Sequence, residues 1–136
     1  MILGLGSDIC DIRRIEHAME RFGDKFLERI FTETERARAM RRTEKLRAAT
    51  FAKRFAAKEA AAKALGTGFR RGVFFADLAV VNQPGGQPTM LFTGGAGLRL
   101  AAITPFGMNP MIAVTMTDEY PYAYAQVILS AVPAAD

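Results

Sequence analysis

Asp8 and Glu59 are the carboxylates whose settings admit metal chemistry. One follows the short segment Gly4-Leu5-Gly6-Ser7 and the other lies inside the helix-forming run from Lys53 to Gly68. Two such carboxylates can supply the one or two hard oxygen ligands that Mg²⁺ takes, leaving its other positions to water and substrate phosphates. Lys58, Lys63 and Arg54 belong to the same run. Lysine acts on phosphate as a point charge and arginine as a planar fork, so these residues would suit a diphosphate held beside a cation. At about 100° per residue Phe51, Phe55 and Ala62 share one stripe, with Lys58 on one flank and Glu59 and Lys63 on the other. The spacing also fits a plainer arrangement, in which the phenylalanines are core and Glu59 and Lys63 form an ordinary i,i+4 surface pair. Spacing alone leaves both open.

Other motifs carry less chemistry. Gly94-Gly95-Ala96-Gly97 lacks the Lys-Ser/Thr of a phosphate loop and reads as a turn before a helix. Gly4-Leu5-Gly6 is only a fragment of a dinucleotide fingerprint, and its glycines are expected to let the chain turn tightly beside Asp8. Cys10 and His17, the only cysteine and histidine, have no third member for a nucleophile pair. They also exclude an internal disulfide and a Cys/His zinc site within the chain, so any metal would use oxygen ligands.

Placing Asp8 and Glu59 requires a strand before the first and a helix through the second. Met1 to Gly6 reads as a short buried strand with Asp8 at its end. Apolar residues from Ile12 to Ile30 recur at helical spacing, with an interruption near Gly23. Thr32 and Glu35 signal the start of a second helix reaching Met40, followed by a mobile, basic connection from Arg41 to Arg47. Phe51 to Leu65 has neither Gly nor Pro and reads as a helix, ended by Gly66-Thr67-Gly68. Val73–Asn82, Thr89–Thr93, Ile112–Thr117 and Tyr124–Leu129 read as strands, with a short helix over Leu98–Ile103. Helices before strands imply an α+β fold.

The 136 residues, half of them apolar and 24% charged, suffice for one domain over residues 1–132, with 133–136 expected to fray. This composition excludes a wholly disordered chain. No apolar run approaches the roughly 20 residues of a membrane span, and no basic segment precedes a signal-type core, so a cytoplasmic protein without a membrane partner is expected. Residues 1–71 hold 17 of the 18 Lys and Arg but 10 of the 14 Asp and Glu, a balance of +7, against −3 for the remainder. The basic half should face an anionic partner. With 13 Lys and Arg between Arg13 and Arg54, a nucleic-acid-binding module is one alternative to an enzyme. A catalytically silent adaptor is another.

Several segments together closely resemble the holo-[acyl-carrier-protein] synthase family of 4′-phosphopantetheinyl transferases. They are Gly4-Leu5-Gly6-Ser7-Asp8-Ile9 with Arg13-Arg14-Ile15, Phe31-Thr32 with Glu35, the Arg54 to Gly68 run, and Thr115 to Glu119 followed by Tyr122-Ala123. Order and spacing agree over nearly the whole chain, and the Arg54–Gly68 stretch is the specific part. The resemblance implies helices packed on a small, mostly antiparallel sheet. It also implies transfer of the 4′-phosphopantetheine arm of coenzyme A to a serine of an acidic apo acyl carrier protein, releasing adenosine 3′,5′-bisphosphate. On this basis Asp8 and Glu59 would hold Mg²⁺, Lys63 and Lys58 would steady the diphosphate, and no nucleic acid is involved. Arg54, the 41–47 connection and Gly66, Thr67 and Gly68 would lie near the nucleotide. Arg14, Arg21, Lys25 and Arg29 would dock the carrier, with Phe22 or Phe26 adding apolar contact. Many relatives have histidine where Asp118 stands, so Thr115 or Thr117 is expected to meet the nucleotide instead. The family's trimers, with sites shared between subunits, imply a homotrimer.

Overall fold

Alternating side chains build a three-stranded antiparallel sheet from the two ends of the chain. The computed structural model describes residues 1–135. Strand β1 (Ile2–Asp11) pairs with β5 (Tyr122–Pro133), which also pairs with β4 (Met108–Glu119), giving the order β1-β5-β4. Ala123, Ala125, Val127, Leu129 and Ala131 are buried on one face, while Tyr122 and Tyr124 point out of the other. Helix α4 (Glu44–Leu65) covers the inner face with Ala56, Ala57, Ala60, Ala61 and Ala64. The approach is so close that a Cβ at Gly6 would overlap the carbonyl oxygen of Ala60, and one at Gly4 that of Ala64. Glycine is required there by contact with the helix backbone rather than by φ.

Helix α1 (Ile12–Phe22) begins at Asp11, whose side chain accepts from the Arg13 N–H, and ends at Gly23, where φ is 58°. The chain resumes as α2 (Asp24–Ile30) and then α3 (Glu33–Met40), opened by a reciprocal Thr32–Glu35 capping box. A single 3₁₀ turn (Phe75–Asp77) leads into the hairpin of β2 (Leu78–Asn82) and β3 (Pro88–Phe92), followed by α5 (Gly94–Ile103). Phe31 and Phe51 meet in the core with ring centroids 4.7 Å apart. No helix among the described residues is long and apolar enough to cross a membrane.

The α+β architecture agrees with the sequence reading, but several boundaries move. β1 continues to Asp11, so Asp8 lies within a strand, and Gly4-Leu5-Gly6 is extended chain packed on a helix rather than a turn. Lys45, Leu46 and Arg47 are good helix formers and join α4, which shortens the basic connection to residues 41–43. Val73 and Phe74 precede the 3₁₀ turn instead of opening a strand. Gly94 to Gly97 form the first turn of α5. At the other end Pro133 closes β5 and the Ala134 N–H donates to the Gly107 carbonyl at 2.9 Å. The expected frayed tail extends to Asp136, which lies outside the described residues.

Candidate active site

Strand alternation turns Gly4, Gly6, Asp8 and Cys10 toward α4, and the helical repeat brings Glu59 and Lys63 to the flank of the same seam. Lys63 Nζ lies 3.0 Å from Asp8 Oδ1 and also donates to the Ser7 carbonyl at 3.0 Å. Glu59 carries no hydrogen bond among the described residues and is half-buried. Burial, then the neighbouring Asp8 charge, raises its pKa above the ordinary carboxylate value, against the opposing pull of Lys63 and Arg14. Two carboxylates sharing one field, one of them without a donor, form a set that a hard divalent cation would stabilise. Asp8, Glu59 and Lys63 are thus brought together. Cys10 lies nearby, but burial pushes its thiol up to about 11, so it stays protonated and inert.

Lys58 is not part of this group. Its side chain is wholly buried on the other flank of α4, 2.8 Å from Glu35 Oε1. Its ammonium also donates to the carbonyls of Phe75 and Leu78, each at 3.0 Å. An ammonium has three protons, and all three are engaged, leaving none for a diphosphate. The expectation that Lys58 steadies that group is therefore corrected. Glu35 in turn accepts from the N–H groups of Thr32 at 2.8 Å and Val80 at 2.9 Å. Burial lowers the Lys58 pKa from its ordinary value, and Glu35 opposes the shift. Its capping motif made Glu35 visible as a helix start, whereas nothing in the spacing disclosed its pairing with Lys58.

Arg54 opens onto a cavity of about 430 Å³ lined by Arg38, Arg41, Arg42, Thr50, Lys53, Asn82, Pro88 and Met116. Arg54 is buried, with one nitrogen donating to the Thr50 carbonyl at 3.1 Å and its Nε left without a partner. Burial lowers its pKa, with Arg38 and Arg42 adding to the effect and Glu35 opposing it. Such a concentration of cations is suited to an anion carrying more than one charge. Lys53 is held by Asp118 at 3.0 Å, which accounts locally for the acidic residue at that position. Arg38, Arg41 and Arg42 have the three- and four-residue spacing that marks a common helical side, a signal present in the sequence.

Thr115 and Thr117 are not part of this cavity. Met116 and Asp118 take the inner face, opposite Ala125 and Ala123, which turns both threonines to the exposed outer face. Gly66 (φ 78°), Thr67 and Gly68 (φ 59°) form the turn that ends α4, beyond Lys63. The Thr67 hydroxyl is engaged with the Gly68 carbonyl at 2.8 Å.

Arg14, Arg21, Lys25 and Arg29 are exposed along α1 and α2, beside shallow grooves that include Phe22 and Phe26. Asp11 neutralises the adjacent Arg13 through a two-pronged contact at 2.9 and 2.7 Å. Among the described residues none of the other four is in a salt bridge, so their charge is available to a partner.

Known proteins are similar to this chain in sequence and in fold. The profile of the 4′-phosphopantetheinyl transferase superfamily matches residues 4–125. A holo-[acyl-carrier-protein] synthase of Granulibacter bethesdensis is 65% identical over 133 residues, covering 98% of this chain and 92% of its own. One from Caulobacter vibrioides is 59% identical and covers 98% of both chains. Among solved structures, the synthase of Neisseria meningitidis superposes with a TM-score of 0.82 at 32% identity, covering 96% of this chain and 99% of its own. That of Bacillus anthracis, solved in complex with CoA (3′,5′-ADP), gives 0.75 at 35% identity over 95% and 96%.

Proposed function

The chain belongs to the 4′-phosphopantetheinyl transferase superfamily, and from that membership we propose an active centre in which Asp8 and Glu59 hold Mg²⁺ while Lys63 steadies a diphosphate. The reaction is transfer of 4′-phosphopantetheine from coenzyme A to a serine of apo acyl carrier protein. The observation that carries the assignment of the centre is the convergence of Asp8, Glu59 and Lys63 from β1 and α4.

In the reaction the serine oxygen bonds to the phosphorus bearing pantetheine. The bond from that phosphorus to the bridging oxygen breaks, and adenosine 3′,5′-bisphosphate departs with the electron pair. A bound Mg²⁺ supplies charge stabilisation for diphosphate oxygens as negative charge develops on the leaving group. Lys63 has one proton left after its contacts with Ser7 and Asp8 and can donate it in a hydrogen bond to a phosphate oxygen. The serine proton passes to Glu59 or to a water beside it. Arg54 lies on the side of α4 opposite Lys63, so the cations of its cavity would hold the phosphorylated nucleotide end of a coenzyme A whose diphosphate rests on a neighbouring subunit. Arg14, Arg21, Lys25 and Arg29 receive the acidic carrier, and this docking weakens with salt.

A homotrimer completes this reading. Leu5, Ile9, Met111 and Tyr124 leave an apolar outer sheet face that association would cover. Thr115 and Thr117 on that face would then stand toward a neighbouring subunit.

The test combines apo carrier protein, coenzyme A and Mg²⁺ and reads the intact mass of the carrier. Addition of the phosphopantetheine arm, lost on chelation and in Asp8→Ala and Glu59→Ala, is the expected outcome. Full turnover by either folded carboxylate variant defeats the metal assignment.

A further inference from the structure

Helix α4 meets the sheet through alanines set against Gly4, Gly6, Ala123 and Ala125. Methyl groups and bare backbone allow close approach, yet they offer few interlocking ridges to resist a small slide or rotation of the helix. Glu59 sits on the flank of this smooth seam, while Asp8 is carried by the strand beneath it. Sharing Mg²⁺ tolerates little error, because its ligands must lie at about 2.0–2.1 Å in near-octahedral positions.

On the Glu59 side the directional contacts from α4 to β1 are those of the half-exposed Lys63 to Ser7 and Asp8, whereas the other flank of α4 carries fully buried ones. Lys58 uses its three protons on Glu35, Phe75 and Leu78, and Glu35 accepts from Thr32 and Val80. This one pair fastens α4 to the start of α3, to the 3₁₀ turn and to β2. Both side chains are fully buried, so solvent cannot replace any of these bonds.

We propose that Lys58, through its pair with Glu35, is a positioning residue that fixes the rotation and axial register at which α4 presents Glu59 to Asp8. The inference rests on the assignment of Asp8 and Glu59 as the cation ligands. Lys58 itself touches neither the cation nor a phosphate.

The double variant Glu35→Gln/Lys58→Met removes both charges together and so leaves no lone buried ion. Its melting curve establishes that it folds. Two readouts follow: Mn²⁺ binding in the presence of coenzyme A, measured from the electron paramagnetic resonance signal of the free ion, and the Mg²⁺ concentration giving half-maximal transfer. Both are expected to weaken about tenfold, as is common when a group supporting a metal ligand is removed, while the KM for the carrier stays within about twofold. A folded double variant with wild-type Mn²⁺ affinity overturns the proposal. If the double variant does not fold, Lys58→Arg decides by the same readouts: the longer, planar head group is expected to shift the Mn²⁺ affinity, and an unchanged value overturns the proposal. A wild-type protein that binds no Mn²⁺ with coenzyme A present overturns the metal assignment and this inference with it. Intact wild-type binding with an unaltered variant overturns the positioning role alone.

Discussion

Lys63 and Asp8, fifty-five positions apart, meet with Nζ 3.0 Å from Oδ1, the lysine half exposed and the aspartate mostly covered. A surface ion pair of this kind adds little to stability. Its value lies in holding a cationic group beside the carboxylate where a diphosphate would arrive. Lys63→Met is therefore expected to lower kcat/KM for coenzyme A about 100-fold, the scale of losing one charged contact to a transition state, with little change in melting temperature. Steady-state kinetics and a thermal melt check both halves.

Glu59 gives a pH prediction whose sign is fixed by its environment. Burial and Asp8 raise its pKa from the ordinary 4.5, so its protonated form favours the fold. That contribution is full below the ordinary value and is lost as pH rises through the folded value. In ion-free buffer at neutral pH, Glu59→Gln should raise the melting temperature while abolishing transfer, and the difference should shrink near pH 4. A variant that melts lower than wild type at neutral pH contradicts the electrostatic account.

Gly6→Ala should destabilise the protein by about 3 kcal/mol or more, because its Cβ meets fixed helix backbone instead of a yielding side chain. Urea unfolding measures this. A loss below about 1 kcal/mol would mean that β1 can lift from α4 easily.

Arg14→Glu should weaken carrier binding about tenfold and lower its salt sensitivity, with coenzyme A binding intact, since Arg14 is exposed on α1. Calorimetric titrations with each substrate at two salt concentrations separate the effects. Unchanged carrier affinity removes α1 from the docking surface.

Ile9→Asp places a charge on the apolar outer face of the sheet, where Ile9 is paired with Tyr124. Light scattering should record a fall from trimer to monomer mass. A wild-type chain already monomeric at the same concentration contradicts the assembly.

The sequence disclosed what depends on local periodicity and turn chemistry. The break at Gly23, the capping box at Thr32 and the helix end at Gly66 follow from single residues and their near neighbours. The opposite flanks of Lys58 and Glu59 follow from the helical repeat alone. What remained hidden depends on partners distant in the chain. Gly4 and Gly6 resemble a turn until α4 is laid across them, and Lys58 resembles a phosphate ligand until Glu35 and two carbonyls consume its protons. Thr115 and Thr117 were separated from Arg54 by strand register, which a motif cannot express.

Strand β4 sends Met116 and Asp118 toward its own chain's cationic chamber and Thr115 and Thr117 the opposite way. If those threonines contact nucleotide at all, they serve a molecule bound chiefly by another copy. Specific activity would then fall on dilution even with every substrate saturating, because each catalytic unit would be completed only by its neighbour.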